Sequence, residues 1–216
     1  MSEWWTYSLT DFLLFSPETY ARLFLRYNEA VWPGQLPVLA AGLLVLILGW
    51  RRHPLLPRAA LTLLAFGWAW TGWAFHLQRY ASINWAAVWF GAAFFVQAAL
   101  LARTALLTSA SADGRRGVPF GLGMTLLAVA LLYPLLALLT GRPLAYGEIV
   151  GLAPDPTVLA TLGILLMTVP SLRGLLLVLP LAWCATSGAT LWAMDAPQAF
   201  ILPIAGLLTL LLLRRR

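Results

Sequence analysis

The sequence predicts an all-α integral membrane protein with seven transmembrane helices. Of its 216 residues, 61% are hydrophobic and only 10% are charged, whereas a soluble domain usually carries about 25% charged residues. The hydrophobic residues also form long runs, several of which approach the roughly 20 residues needed to cross about 30 Å of hydrocarbon. Most side chains are therefore expected to contact lipid or one another, and little chain is left for a soluble domain.

Seven apolar segments, separated by short turn-forming stretches, define the predicted transmembrane domain of residues 32–216. The turns are rich in Gly, Pro, Asp and Ser, as Arg-Arg-His-Pro at 51–54 and Asp-Ala-Pro at 195–197 illustrate. The predicted spans are residues 32–50, 59–78, 84–107, 118–139, 156–171, 174–193 and 197–213. The turn before the sixth span is very short, and the fifth span is short enough to be tilted or incomplete.

Residues 1–31 form a separate, amphipathic segment ahead of the first span. Ser16 can cap a helix that has Pro17 at its first position. Helical spacing puts four apolar or aromatic side chains on one face and three charged ones on another: Tyr20, Leu23, Phe24 and Tyr27, against Glu18, Arg22 and Arg26. An apolar face beside a charged face is typical of a helix that lies in the membrane interface.

Arginine placement predicts the orientation. With the N-terminus outside, ten arginines fall in inner loops and the C-terminal tail, and four fall in outer segments. The inner set is Arg51, Arg52, Arg58, Arg103, Arg115, Arg116, Arg173, Arg214, Arg215 and Arg216, and the outer set is Arg22, Arg26, Arg79 and Arg142. Because inner loops carry the excess of basic residues, this distribution favours an N-out, C-in chain. Since topology accounts for the arginines, the net charge of +6 does not indicate a nucleic-acid partner.

Composition also limits the cofactors. The chain has no lysine, so it cannot hold retinal or pyridoxal phosphate as an imine. Cys184 is the single cysteine, which excludes an intrachain disulfide and a thiolate metal cluster. The two histidines, His53 and His76, lie at opposite ends of adjacent predicted spans and cannot share one haem or metal. We predict no cofactor, with a haem or metal at His76 alone as the alternative.

Polar side chains of several predicted spans meet at the outer side of the membrane. Polar groups inside a membrane need a partner or a watery cavity, so these residues predict an outward-facing vestibule. His76 would be its central ionisable group. The other candidate ligand-binding residues are Asn28, Glu29, Asn84, Tyr133, Asp155 and, deeper in the third span, Gln97. The competing interpretation is that these side chains only anchor helix ends at the headgroups, and that Gln97 makes an interhelical hydrogen bond.

Two motifs resemble those of a known family. They are Tyr27-Asn28-Glu29-Ala30-Val31-Trp32-Pro33-Gly34-Gln35, and the set Trp70, Gly72, His76, Ile83-Asn84-Trp85-Ala86-Ala87, Phe90 and Gln97. With Tyr133-Pro134 and Pro154-Asp155-Pro156-Thr157, they are similar to a bacterial multi-pass membrane family catalogued as domain of unknown function 6064. The resemblance covers nearly the whole chain and implies a bacterial cytoplasmic (inner) membrane. That pattern has a cysteine where this chain has Asp155, so no thiol role carries over.

These observations predict a non-enzymatic membrane protein that binds or conducts a small solute or ion through the outer vestibule. Two alternatives stay open. One is an accessory subunit of a larger membrane complex or a homo-oligomer, which the small size and the scarcity of soluble chain suit. The other is a membrane enzyme of redox or lipid-modifying chemistry that uses His76 as an acid, base or ligand.

Overall fold

The computed structural model describes residues 13–108, 117–168 and 172–214, and the regular structure in these ranges is entirely helical. The α-helices are α1 (Pro17–Val31), α2 (Gln35–Trp50), α3 (Leu56–Trp70), α4 (Ala87–Leu107), α5 (Val118–Leu132), α6 (Leu136–Leu139), α7 (Pro154–Met167), α8 (Arg173–Ala193) and α9 (Ile201–Arg214). A 3₁₀ turn at Tyr133–Leu135 joins α5 to α6. The predicted all-α class is therefore confirmed.

The number of helices that could cross a membrane is smaller than the predicted seven. In the described ranges, α4, α8 and the continuous α5–α6 helix of Val118–Leu139 are long and apolar enough, and the bent pair α1–α2 could add a fourth. The other four predicted spans are helical but short: α2, α3, α7 and α9 have 16, 15, 14 and 14 residues. At about 1.5 Å per residue, each rises only about 21–24 Å, less than the roughly 30 Å of hydrocarbon.

Helix α7 is the centre of the molecule. All 14 of its residues are buried, as expected of a helix that is apolar on every side. It packs mainly against α5 and also contacts α3, α8 and α9. The contact with α5 is backbone to backbone, because a Cβ added at Gly163 would lie 2.7 Å from the carbonyl oxygen of Gly123.

Helix α1 lies across the end of this bundle. It meets α2 at a bend of 95°, and its predicted cap is present, since the Thr19 backbone N–H donates to Ser16 Oγ at 3.2 Å. Its aromatic face packs on protein: Tyr27 is 1% exposed, and the Phe24 ring stacks on Phe75 at 5.1 Å. The amphipathic helix is thus as predicted, although protein covers its apolar face. Residues 1–12 of the predicted interfacial segment lie outside the described residues.

The end of α3 unwinds into a wider turn that carries His76. Thr71–Leu77 forms a π-helical turn, a rare conformation that often marks functional positions. Small residues let this turn approach α4 closely, because a Cβ at Gly72 would lie 3.2 Å from the carbonyl oxygen of Gly91. His76 is consequently directed into the space between α3, α4 and α8.

The outer surface is strongly apolar. Large hydrophobic side chains are exposed on many of the helices, among them Trp50 (82%), Phe66 (71%), Leu106 (77%) and Leu139 (80%). Soluble monomers rarely expose contiguous apolar surface on this scale. The surface therefore fits a lipid environment better than water.

Candidate functional site

The site is built around an irregular stretch between α6 and α7, residues 140–153, which we call the connecting segment. Helix α1 holds it in place, because Asn28 Nδ2 donates to the carbonyl oxygens of Ala145 and Gly147, both at 2.8 Å. Gly147 permits a close approach to the end of α5, since a Cβ there would lie 2.8 Å from Pro134. These contacts fix the backbone on which Glu148 stands.

The far end of the connecting segment is held by a second set of hydrogen bonds. The Tyr27 hydroxyl donates to the carbonyl oxygen of Leu152 at 3.1 Å and accepts from Trp70 Nε1 at 2.8 Å. The Thr157 hydroxyl accepts from the Gly151 N–H at 2.7 Å. Buried irregular backbone needs such partners, and the segment is mostly buried from Gly147 onwards. The segment from Gly147 onwards is therefore part of the interior, whereas residues 140–146 lie nearer the surface.

Asp155 lies in the first turn of α7 and is 0% exposed. Three donors surround its carboxylate. Trp183 Nε1 donates to Oδ1 at 2.8 Å, Ser187 Oγ donates to Oδ2 at 2.7 Å, and the Tyr133 hydroxyl lies 3.4 Å from Oδ2. Trp183 and Ser187 are four residues apart on α8, so both face α7. Hydrogen bonds to an ionised acceptor are the strong ones, and here they fill both oxygens.

Glu148 lies nearby without such partners. It is 8% exposed, and its Oε2 has no hydrogen-bond partner among the described residues. It lines a small pocket of about 50 Å³, which we call the polar pocket. The other lining residues are Tyr20, Ala21, Phe24, Tyr133, Leu136, Ala137, Thr140, Arg142, Tyr146, Gly147 and Gln198. Since Tyr133 lines this pocket and also reaches Asp155, it stands between the two carboxyl groups.

The surroundings of Glu148 favour its protonated form. Burial raises the pKa of Glu148 well above its ordinary value of 4.5, and the negative charge of Asp155 raises it further. Both effects disfavour a second buried charge beside the first. The chain thus holds two neighbouring carboxyl groups in unlike environments, one supplied with donors and the other without them.

His76 is enclosed beside this centre but does not line the polar pocket. It is 0% exposed, and neither ring nitrogen has a hydrogen-bond partner in the described part of the chain. Its ring contacts five aromatic rings, those of Phe75, Tyr80, Phe90, Phe94 and Trp183. The Trp183 ring lies 5.1 Å from that of His76 and donates to Asp155. A single indole therefore links His76 to the carboxylate.

The remaining predicted residues have other roles or lie elsewhere. Asn84 Oδ1 accepts from the Ala86 N–H at 3.0 Å, a local turn contact. Gln97 Nε2 donates to the carbonyl oxygen of Leu176 at 2.9 Å, the interhelical bond that the sequence offered as an alternative. Glu29 is exposed. Of the predicted set, the structure brings Asn28, Tyr133 and Asp155 together around the connecting segment, with His76 behind Trp183.

Sequence reasoning missed Glu148, Trp183 and Ser187. Glu148 lies between two predicted spans, and the one sequence signal for its burial is its position directly before the apolar pair Ile149–Val150. Trp183 and Ser187 are spaced i, i+4 on an apolar helix, which aligns two donors on one face.

A larger apolar cleft of about 660 Å³ lies between α2, α3 and α7. Its lining residues carry no ionisable side chain, and their one polar side-chain group is the Trp70 indole, which is already bonded to Tyr27. The cleft offers apolar surface without hydrogen-bonding chemistry. The buried carboxyl groups of Glu148 and Asp155 do not line this cleft.

Metal ligands do not converge in the described ranges, where no group of three or more His, Cys, Asp or Glu side chains could hold a metal ion. The prediction that no cofactor is bound, and its alternative of a haem or metal at His76, both stay predictions.

The fold and the site together define an all-helical protein whose apolar helices enclose two buried carboxyl groups. The chain belongs to a family of unknown function (DUF6064), whose family model matches residues 17–216, so the resemblance seen in the sequence is confirmed. No curated protein and no solved structure matches the chain. The motifs that carried the resemblance contribute Tyr27, Asn28 and Trp70, which hold the connecting segment, and His76, which packs against Trp183.

Proposed function

We propose that this chain is a multi-pass membrane protein that binds a small ion or solute at Glu148 and Asp155 and passes it on. The observation that carries the proposal is the buried Glu148 carboxyl group at the polar pocket, whose Oε2 has no hydrogen-bond partner among the described residues, with Asp155 behind it. Ionisable side chains are costly inside a membrane protein and usually mark a pathway for ions or protons. We call these two residues the carboxyl centre.

The proposed placement in the membrane has seven helical segments at membrane depth, N-out and C-in, in a bacterial inner membrane. The exposed apolar surface supports it. The short helix α7 fits this placement because protein buries all of its residues, so it does not have to cross the hydrocarbon as an isolated helix. The 95° bend then leaves α1 along the outer surface, above the carboxyl centre.

Reconstitution into lipid vesicles tests this function. Proton movement is followed with an entrapped pH-sensitive dye, and sodium, rubidium and chloride movements are followed with radioactive tracers. We expect the wild-type protein to move at least one of these ions. Glu148→Gln and Asp155→Asn are expected to slow that movement by about tenfold or more, equivalent to about 1.4 kcal/mol in barrier height.

The matched control is Glu18→Gln, which makes the same chemical change on the exposed face of α1. It should behave as wild type. The proposal fails if no probe moves in wild-type vesicles, or if Glu148→Gln and Asp155→Asn move it as fast as wild type.

A further inference from the structure

We infer that the species bound at the carboxyl centre is the proton, and that Glu148 is the side chain that takes it up and releases it. This inference rests on the proposed function and names its substrate. It is carried by the hydrogen-bond pattern of Asp155, the size of the polar pocket and the isolation of the Glu148 carboxyl group.

The hydrogen-bond partners of Asp155 disfavour the binding of a metal cation at this residue. Sodium, calcium or magnesium would need several oxygen atoms with lone pairs directed at the ion, as hard cations do in proteins. Asp155 instead receives N–H and O–H groups from Trp183, Ser187 and Tyr133. Their hydrogens take up to three of the roughly four acceptor positions of the carboxylate and point N–H and O–H groups, not lone pairs, at the space around it. Asp155 is therefore built as a hydrogen-bonded carboxylate and not as a metal ligand.

The polar pocket is too small for an organic solute. Its volume is about 50 Å³, whereas pockets for small organic ligands usually measure about 300–1,000 Å³. One water molecule accounts for about 30 Å³ of liquid, so the pocket has room for one or two waters. That is enough for proton exchange, in which the O–H bond of the Glu148 acid breaks, its proton joins a water oxygen, and the carboxylate keeps the electron pair.

The Glu148 carboxyl group is suited to this exchange because its Oε2 is buried and has no hydrogen-bond partner among the described residues. An ionised carboxylate without partners is costly in such a place, so the neutral acid is favoured; burial and the Asp155 charge accordingly raise the pKa of Glu148. The titratable or charged groups that surround it are Tyr20 from α1, Tyr133 from the turn after α5, Arg142 and Tyr146 from the connecting segment, and Asp155 from α7. Among these, Arg142 is the one positively charged side chain that lines the pocket.

Proton and cation movements are compared in the same vesicles to test this inference. A pH gradient is imposed, charge is balanced with potassium and valinomycin, and a sodium tracer is present; because valinomycin also carries rubidium, the rubidium tracer is followed in separate vesicles without it. We expect proton movement without tracer movement in the wild type, a loss of about tenfold or more in Glu148→Gln, and partial recovery in Glu148→Asp, which keeps a carboxyl group. Glu18→Gln should match wild type.

Infrared spectroscopy of the purified protein gives a second measurement that does not depend on transport. The wild type should show a carboxylic-acid carbonyl band at neutral pH that Glu148→Gln removes, and the band should diminish as pH rises. A spectrum of Glu148→Gln identical to wild type would overturn the inference.

The two proposals fail in different ways. If sodium, rubidium or chloride moves, depends on Glu148, and no proton moves, the proton assignment is overturned while the proposed function stands. If every probe moves equally in wild type and Glu148→Gln, both are overturned. Should Glu148→Gln not fold, Glu148→Asp and the wild-type infrared titration still decide the question.

Discussion

At the scale of residues, the two buried carboxyl groups differ in their neighbours more than in their burial. Asp155 has three donors around its oxygens, whereas Glu148 Oε2 has no partner within the described ranges. When the surroundings of two acids give them different proton affinities, the two acids usually take different chemical roles. In this chain the donor-rich Asp155 is a fixed acceptor, and Glu148 is the group that can change its charge.

The raised pKa of Glu148 predicts how stability depends on pH. Because the native pKa lies above the ordinary value of 4.5, the native state keeps a proton that the unfolded chain releases. This contribution is fully present below 4.5 and is lost as the pH rises through the native pKa. We expect the Tm of the detergent-purified wild type to fall with rising pH, and Glu148→Gln to remove that part of the slope. Equal slopes in the two proteins, measured by scanning calorimetry, would contradict this.

Sequence alone could find part of the site. Asn28, Tyr133 and Asp155 were identified because polar groups at the ends of apolar segments need partners, and all three have them. Glu148 could not be identified in this way, because a carboxylate between two helices is ordinarily solvated at little cost. Its burial depends on the connecting segment folding inwards under α1, which is a tertiary event that no local pattern encodes.

At the scale of elements, the pairing of α5 with α7 depends on glycine. A Cβ at Gly123 would lie 2.6 Å from the carbonyl oxygen of Gly163, a contact that only displacement of a helix could relieve. Two residues earlier on α5, Gly121 has nothing within 4 Å of the same position. The two glycines therefore form a natural comparison on one helix.

We predict that Gly123→Ala destabilises the protein by about 1–3 kcal/mol, the usual cost of overpacking. Gly121→Ala should be neutral or slightly stabilising, because alanine favours a helix by about 1 kcal/mol over glycine. Thermal or detergent denaturation of the two variants measures both effects. A Gly123→Ala protein as stable as wild type would show that α5 and α7 do not touch at their backbones.

Helix positions were predictable where apolar runs were long and uninterrupted. The fourth predicted span, 118–139, has the bounds of the α5–α6 helix. The π-helical turn at Thr71–Leu77 was not predicted, because one residue more per turn leaves no mark on a sequence that is apolar on every face. For α1, the amphipathic pattern showed which face of the helix would be covered. It did not show that Phe75 and its neighbours, and not lipid, would cover that face.

At the scale of the whole molecule, the proposed N-out, C-in arrangement puts successive turns on opposite sides of the membrane. Ser82 lies between α3 and α4, and His53 lies between α2 and α3; both are exposed. In a Cys184→Ser background, we expect Ser82→Cys to react with a membrane-impermeant thiol reagent in intact cells. His53→Cys should react only after permeabilisation.

Labelling of both cysteines from the same side would contradict the arrangement, because α3 would then not cross. The sequence could give the order of the helices and the bias of arginine that favours this orientation. The sequence could not give the number of spans. Helices of 14 to 16 residues are too short to cross a membrane alone, but they are long enough to cross when the chain on either side of them completes the span.

Under the proposed placement in a membrane, the complete enclosure of α7 also constrains the order in which the chain is assembled. Translation delivers α7 after α3, α4 and α5 but before α8 and α9, two of the helices that surround it. Until those two arrive, one side of α7 has no protein to cover it, and lipid cannot supply hydrogen bonds to a polar group there. The Asp155 carboxyl group also lacks two of its hydrogen-bond donors until α8 is made, because Trp183 and Ser187 lie on that helix. The carboxyl centre is therefore completed only when α8 has docked, which makes it one of the last parts of the protein to form.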